Sequence, residues 1–132
     1  MRLCVAEHEV PETLIYGAFV EKKGGICKPN STKVVSELLR RYGGKLRDFT
    51  QKEPFELSGA CLDYCVGWLA ISLLARYDAQ NVIVDLPNSY GIVERVDHRG
   101  KRSVLGINER MELFKNSHMD WEIFGDKLRF KK

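Results

Sequence analysis

The chain has 132 residues, of which 44% are hydrophobic and 30% are charged. This length and composition are typical of a single globular domain, residues 1–132, and they exclude a disordered chain. The net charge of +3 is too small to indicate a nucleic-acid-binding protein by itself, and a solvated surface explains it more simply.

No segment of the sequence is apolar for long enough to span a membrane. The longest apolar stretch, residues 65–75, has about eleven residues, whereas a membrane helix needs about eighteen or more. Near the N-terminus, Glu7, His8 and Glu9 interrupt any apolar core of a signal peptide. We therefore expect a cytoplasmic protein that does not contact a membrane.

Four cysteines, at positions 4, 27, 61 and 65, are too sparse for the disulfide framework of a small secreted domain. A zinc site built from cysteines normally shows short pairs in two places, whereas here only Cys61 and Cys65 are close in sequence. We expect free thiols, no bound metal and no cofactor.

The first half of the chain contains a predicted strand and a predicted helix. Residues 13–21 are rich in aromatic and branched side chains and are followed by Gly24 and Gly25, so we predict a hairpin with Ile26 and Cys27, or alternatively a short helix. Residues 32–42 place apolar side chains at helical spacing. Ser31 or Thr32 can cap this helix, and Gly43 suits its end.

The middle of the chain contains the most apolar predicted helix, which begins at Leu62 and ends at Tyr77. Ser58 and Gly59 predict a tight turn before it. Because this helix is apolar on most faces, we expect neighbouring elements to enclose it on nearly all sides, with Trp68 in the core.

Three short strands that form a meander are predicted over residues 81–86, 90–96 and 102–107, with a break at 87–89 and a hairpin connection at 97–101. A short helix capped by Asn108 and a last strand or hairpin over residues 120–130 complete the chain. These elements predict an α+β fold in which a small antiparallel sheet packs on the buried central helix.

Cys61 stands at the predicted start of this helix, where unpaired backbone N–H groups and the positive end of the helix dipole favour a thiolate. A nucleophilic cysteine also needs a base, normally a histidine within hydrogen-bond reach. His98 falls in the predicted hairpin at 97–101, too far along the strand to serve Cys61.

The run from Gly59 to Tyr64, Gly-Ala-Cys-Leu-Asp-Tyr, resembles the transglutaminase-like, papain-related cysteine hydrolases, whose nucleophile opens a long core helix. The resemblance covers residues 58–108 and implies a nucleophilic role for Cys61. It also places Tyr90 at the position of the family's catalytic histidine and Asn108 at that of its aspartate. Tyrosine, with a pKa of about 10, is a poor general base at neutral pH.

The replaced histidine favours a non-catalytic binding or regulatory module on a transglutaminase-like scaffold, with an unidentified protein or peptide as partner and with Asp63 and Tyr64 as candidate binding residues. One alternative is a hydrolase or acyl transferase that acts on an amide or thioester through Cys61. A second alternative is a protein that binds nucleic acid or another polyanion through Arg99, Lys101, Arg102 and the strand Lys127 to Lys132, with Phe130 and Trp121 as stacking groups.

Overall fold

The computed structural model describes residues 1–6, 11–60, 65–90, 94–96, 99, 102–104 and 120–131. Its helices are α1 (Pro11–Lys22), α2 (Ser31–Tyr42), α3 (Leu46–Lys52) and α4 (Gly67–Arg76). Its strands are β1 (Arg2–Ala6), β2 (Ile26–Lys28), β3 (Phe55–Ala60), β4 (Val82–Tyr90), β5 (Glu94–Val96), β6 (Arg102–Val104), β7 (Asp120–Phe124) and β8 (Lys127–Lys131).

Six of these strands form one mixed sheet in the order β2-β1-β3-β4-β8-β7, and β5 pairs with β6 separately. The combination of helices with a mixed sheet confirms the α+β class. The predicted antiparallel sheet is wrong, because β2, β1, β3 and β4 are parallel and only β8 and β7 join in antiparallel pairs. Parallel neighbours need crossover connections, and the helices α1 to α4 supply them.

The sheet has two different faces because side chains alternate along each strand. Leu3 and Val5 of β1 join the hydrophobic core that α2 and α4 cover, and Cys4 between them points to the face that α1 covers. The core side chains are fully or almost fully buried; they include Leu38, Phe55, Leu57, Leu69, Leu73, Leu74, Val84 and Leu128.

Helix α1 shows that the strand predicted over residues 13–21 is wrong and that the helical alternative is right. Thr13, Gly17 and Val20, which share one side of the helix, are buried against the sheet, while Ile15 is 74% exposed. Branched and aromatic residues therefore occur on the outer surface of a helix. The parallel pairing of β1 with β2 requires such a crossover, and this requirement overrides the local preference for strand.

Helix α2 confirms the predicted amphipathic helix over residues 32–42. Its cap is Asn30 rather than Ser31 or Thr32: the Asn30 side chain accepts a hydrogen bond of 2.9 Å from the backbone N–H of Lys33. Gly43 follows the helix with a φ of 54°, a left-handed conformation that glycine adopts without strain.

Helix α4 is the described part of the predicted central helix. It runs from Gly67 to Arg76 after a π-helical turn at residues 65–66, and residues 61–64 lie outside the described part of the chain. Leu69, Leu73 and their neighbours are buried, but Trp68 is 59% exposed. The expectations that Trp68 lies in the core and that the helix is enclosed on nearly all sides are therefore wrong.

The C-terminal strands agree only in part with those predicted from the sequence. The predicted break at 87–89 is wrong because β4 continues through it, and the predicted three-strand meander is wrong because β4 pairs with β3 and β8. The antiparallel pair of β5 and β6 confirms the hairpin around residues 97–101, and β7 and β8 confirm the hairpin within 120–130. Asn108 and the helix predicted after it lie outside the described residues.

Candidate functional site

The parallel strands β1, β3 and β4 end side by side. Ala6 of β1 is the register partner of Ala60 of β3, and Ala60 is in turn the partner of Tyr90 of β4. We call this border of the sheet the carboxyl edge. The segments that follow the three strands in sequence therefore all start from adjacent points.

The carboxyl edge contains a topological switch point between β1 and β3. From β1 the chain passes through α1 to β2, which lies beside β1 on the side away from β3. From β3 it passes through α4 to β4, which lies beside β3 on the side away from β1. The two helices cover opposite faces of the sheet. In open sheets of parallel strands, ligands bind in the crevice that such a divergence leaves at the carboxyl ends.

Just below this edge, the pairing of β3 with β4 is interrupted by a bulge. Leu57 pairs with Val84 and Gly59 pairs with Ser89, so the single residue Ser58 stands opposite residues 85–88. Pro87, which cannot donate a backbone hydrogen bond, is accommodated in this irregular stretch.

The bulge contains Asp85, a carboxylate that is only 6% exposed and lies on the face covered by α1. The Tyr16 hydroxyl of α1 donates a 3.2 Å hydrogen bond to Asp85 Oδ2, and the side-chain amide of Asn88 donates a 2.8 Å hydrogen bond to the same oxygen. Lys127 Nζ of β8 lies 3.6 Å from Asp85 Oδ1 and 3.2 Å from Glu56 Oε1. Burial of a carboxylate requires such partners.

This polar cluster holds together α1, β3, β4 and β8. The Ser89 hydroxyl donates a 2.6 Å hydrogen bond to the backbone carbonyl of Asp85, which closes the bulge on itself. Burial lowers the pKa of Lys127, but the hydrogen bond to Glu56 and the charge of Asp85 outweigh it, so the pKa lies above its ordinary value. The cluster thus fixes the backbone just below the carboxyl edge.

Burial and the adjacent charge of Asp85 raise the pKa of Tyr16 from 10.0 to about 12. Between these two pH values the unfolded chain releases the Tyr16 proton while the folded protein retains it, so the unfolding free energy falls as pH rises. We expect this loss to be smaller in Tyr16→Phe, measured by urea denaturation at pH 9 to 12. The same pH dependence in both proteins would contradict this assignment.

The structure describes only some of the residues predicted from sequence as site residues. Tyr90 ends β4 in register with Ala60, Arg102 begins β6, and Arg99 is exposed in the turn region between β5 and β6. The remaining candidates lie outside the described residues: Cys61, Asp63, Tyr64, Lys101, Asn108, His8 and His98. The polyanion hypothesis stays a prediction, except that Phe130 is only 3% exposed in the hydrophobic core, so its predicted role as a stacking group is wrong.

The sequence pattern does not predict the polar cluster. It places Asp85 in an ordinary strand and Tyr16 in a hairpin. The available signal was an acidic residue inside the otherwise apolar run from Asn81 to Leu86, because a charged side chain in a buried strand requires a partner.

A wide hollow in the described part lies at the opposite border of the sheet. Its volume is about 790 Å³, and it is lined by Met1, Phe19, Phe49 and Glu53 among others. Phe19 lies on one face of the sheet and Phe49 on the other, so the hollow is an open depression around the first residues of β1 and β3. The register of the strand ends and the buried polar cluster therefore favour the carboxyl edge as the candidate site.

The described residues contain neither a metal-binding cluster nor a membrane-spanning helix. Within the described ranges, no three histidine, cysteine or acidic side chains come together in a way that would hold a metal ion. Among the helices that the structure describes, none has the length and apolar character to cross a bilayer.

No protein-family model matches the chain, and neither a curated protein nor a solved structure shows significant similarity to it. The resemblance to transglutaminase-like hydrolases therefore stays a prediction. The function has to be inferred from the geometry of the strand ends and the groups around them.

Proposed function

We propose that the protein is a binding or regulatory module that takes a peptide or small polar ligand at its carboxyl edge. The observation that carries this proposal is the alignment of Ala6, Ala60 and Tyr90 at a switch point between β1 and β3. The divergence of α1 and α4 to opposite faces is the arrangement at which open sheets of parallel strands form ligand crevices.

The polar cluster supports the proposal because it makes this edge rigid. Asp85, buried beneath Tyr16, fixes the bulge, and Ser89 connects the bulge to the strand end at Tyr90. A ligand site whose backbone is already held in place loses less conformational entropy on binding than a mobile one.

The test is ligand screening by ¹⁵N NMR, with pools of small polar fragments and of short peptides as probes. We expect shift changes at the amides of Ala6, Ala60 and Ser89. Ala6→Trp should weaken binding by filling the crevice, whereas Ala18→Trp, the same change at an exposed position of α1, should leave it unchanged. Shifts confined to the hollow around Phe49, or binding that Ala6→Trp leaves intact, would contradict the proposal.

A second candidate function is the hydrolase or acyl transferase that uses Cys61, and one observation favours it. Cys61 follows Ala60 directly in sequence, and His8 follows two residues after Ala6, the register partner of Ala60. The two strands that end in register are thus followed in sequence by an imidazole two residues after Ala6 and by a thiol one residue after Ala60. In this candidate His8, rather than Tyr90, is the base for the thiol.

The rate of Cys61 alkylation by iodoacetamide as a function of pH separates the two functions. A catalytic thiol paired with His8 should show an apparent pKa clearly below the free-thiol value of about 8.5, and His8→Gln should raise it. Cys65→Ser simplifies the measurement by removing the neighbouring thiol. An apparent pKa at or above the free-thiol value would exclude the enzymatic candidate and leave the binding module.

A further inference from the structure

Two cysteines remote in sequence lie side by side beneath α1. Cys4 of β1 and Cys27 of β2 are register partners in the parallel pair of strands. A Cβ atom placed on Gly17 of α1 would lie 2.5 Å from the Sγ of Cys27 and 3.5 Å from the Sγ of Cys4. Both sulfur atoms therefore touch one point of the helix backbone, and only glycine leaves room for them there.

Each thiol also affects the ionisation of the other. The proximity of Cys27 lowers the pKa of Cys4, against the opposing effect of burial, and the proximity of Cys4 together with burial raises the pKa of Cys27. Cys4 is fully buried, whereas Cys27 is partly exposed. The pair therefore contacts solvent through Cys27.

The separation of the strands suits a covalent bond between these sulfur atoms. Neighbouring strands lie about 4.8 Å apart, which is within the Cα–Cα range of about 4.4 to 6.8 Å that disulfides span. Directly opposed side chains of parallel strands point in the same direction, so their Cβ atoms must approach slightly to close the bond. A disulfide at this position would carry some strain and would be readily reduced.

We propose that Cys4 and Cys27 are a reversible disulfide site, formed by a peroxide and opened by a small thiol. One sulfur, as thiolate, attacks a peroxide oxygen and becomes a sulfenic acid, while the O–O bond breaks and the other oxygen leaves as water after protonation. The second thiol then attacks the sulfenic sulfur, the S–S bond forms, and a second water leaves. The two sulfurs together lose two electrons and two protons, and hydrogen peroxide is reduced to two waters. In the reverse direction one glutathione thiolate attacks a sulfur of the pair and breaks the S–S bond, and a second glutathione attacks the mixed disulfide, so that both protein thiols are restored and glutathione disulfide leaves.

The consequence for the fold concerns β2, a strand of only three residues at one border of the sheet. The disulfide would connect this strand covalently to β1 and would close the loop that contains α1. Oxidation should therefore stabilise this part of the sheet by restricting the unfolded chain. It is a modification site separate from the carboxyl edge, and its test does not depend on the proposed function.

The experiment treats the folded wild-type protein with hydrogen peroxide, quenches with an alkylating reagent under denaturing conditions, and maps the peptides by mass spectrometry. We expect a cross-linked peptide that joins Cys4 to Cys27, with the loss of two hydrogens, and its disappearance after treatment with reduced glutathione. Cys65→Ser should retain this peptide, and Cys27→Ser should lack it. The oxidised wild-type protein should also melt at a higher temperature than the reduced one.

Three results would overturn the proposal. Full alkylation of both Cys4 and Cys27 after peroxide treatment would show that no bond forms between them. Disulfides that join Cys27 to Cys61 or Cys65 would show that the buried pair is not the preferred one. A sulfinic acid as the main product at Cys27 would show that its neighbour does not intercept the first oxidised species.

Discussion

Gly59→Ala is expected to lower the free energy of unfolding by about 3 to 5 kcal/mol, because two penalties add at this position. Gly59 has a φ of 112°, a conformation that residues with a Cβ rarely adopt. A Cβ there would also lie 2.0 Å from the carbonyl oxygen of Val5 on the neighbouring strand, and no flexible side chain can move aside. The strands β1 and β3 would have to separate next to the carboxyl edge.

Gly44→Ala is the matched control, since a Cβ on Gly44 would meet no atom within 4 Å. We expect it to change the stability by less than about 1 kcal/mol. Both variants can be measured by urea denaturation followed by circular dichroism. Similar stabilities for the two variants would show that β1 and β3 are not in close contact at Gly59.

Phe55→Ala is expected to destabilise the protein by about 3 to 5 kcal/mol, the usual loss for a fully buried phenylalanine. The Phe55 ring is 0% exposed and packs edge-on against Phe49, with 5.8 Å between ring centroids. Phe49 is in turn stacked on Tyr42 at 4.0 Å. Loss of the Phe55 ring leaves a cavity where α2, α3 and β3 meet.

The same change at Phe124 provides the comparison. Phe124 is 40% exposed, and the guanidinium of Arg129 lies 4.8 Å from its ring centroid. Phe124→Ala should therefore lower the unfolding free energy by about 1 kcal/mol or less. Equal losses at Phe55 and Phe124 in denaturant titrations would contradict the core position of Phe55.

Local sequence signals were sufficient for some elements of this fold. Helix α2 has apolar side chains at helical spacing and a terminal glycine, and both signals agree with the structure, whereas the capping residue is Asn30 rather than the predicted Ser31 or Thr32. The hairpin of β7 and β8 turns at Gly125, where the left-handed conformation is needed. Both elements depend on contacts between residues close in sequence.

Other elements depend on partners distant in sequence, and these could not be predicted from local patterns. Residues 13–21 have the composition of a strand but form a helix because β1 and β2 are parallel. Gly59 was interpreted as a turn, but it allows close contact between strands, and Pro87 was interpreted as a break but lies in a bulge. In each case the pairing of the strands decides which of two locally acceptable conformations is formed.

The candidate site also depends on contacts between residues distant in sequence. Cys61 drew attention through a local pattern, a thiol before an apolar helix. In the polar cluster, Tyr16 and Asp85 are 69 positions apart in sequence. The alignment of Ala6 with Ala60 depends on the register of parallel strands. Neither arrangement leaves a periodic signal in the sequence.

The order of strands in the sheet also constrains how the chain folds. Strand β1 precedes every other described strand in sequence, yet it lies between β2 and β3, and its second neighbour begins only at Phe55. A chain that has been synthesised only as far as α3 would leave one side of β1 with unpaired hydrogen-bonding groups and an uncovered apolar strand. Such an intermediate is prone to pair with other chains, so the interval before β3 joins β1 is the period when this protein is most exposed to aggregation.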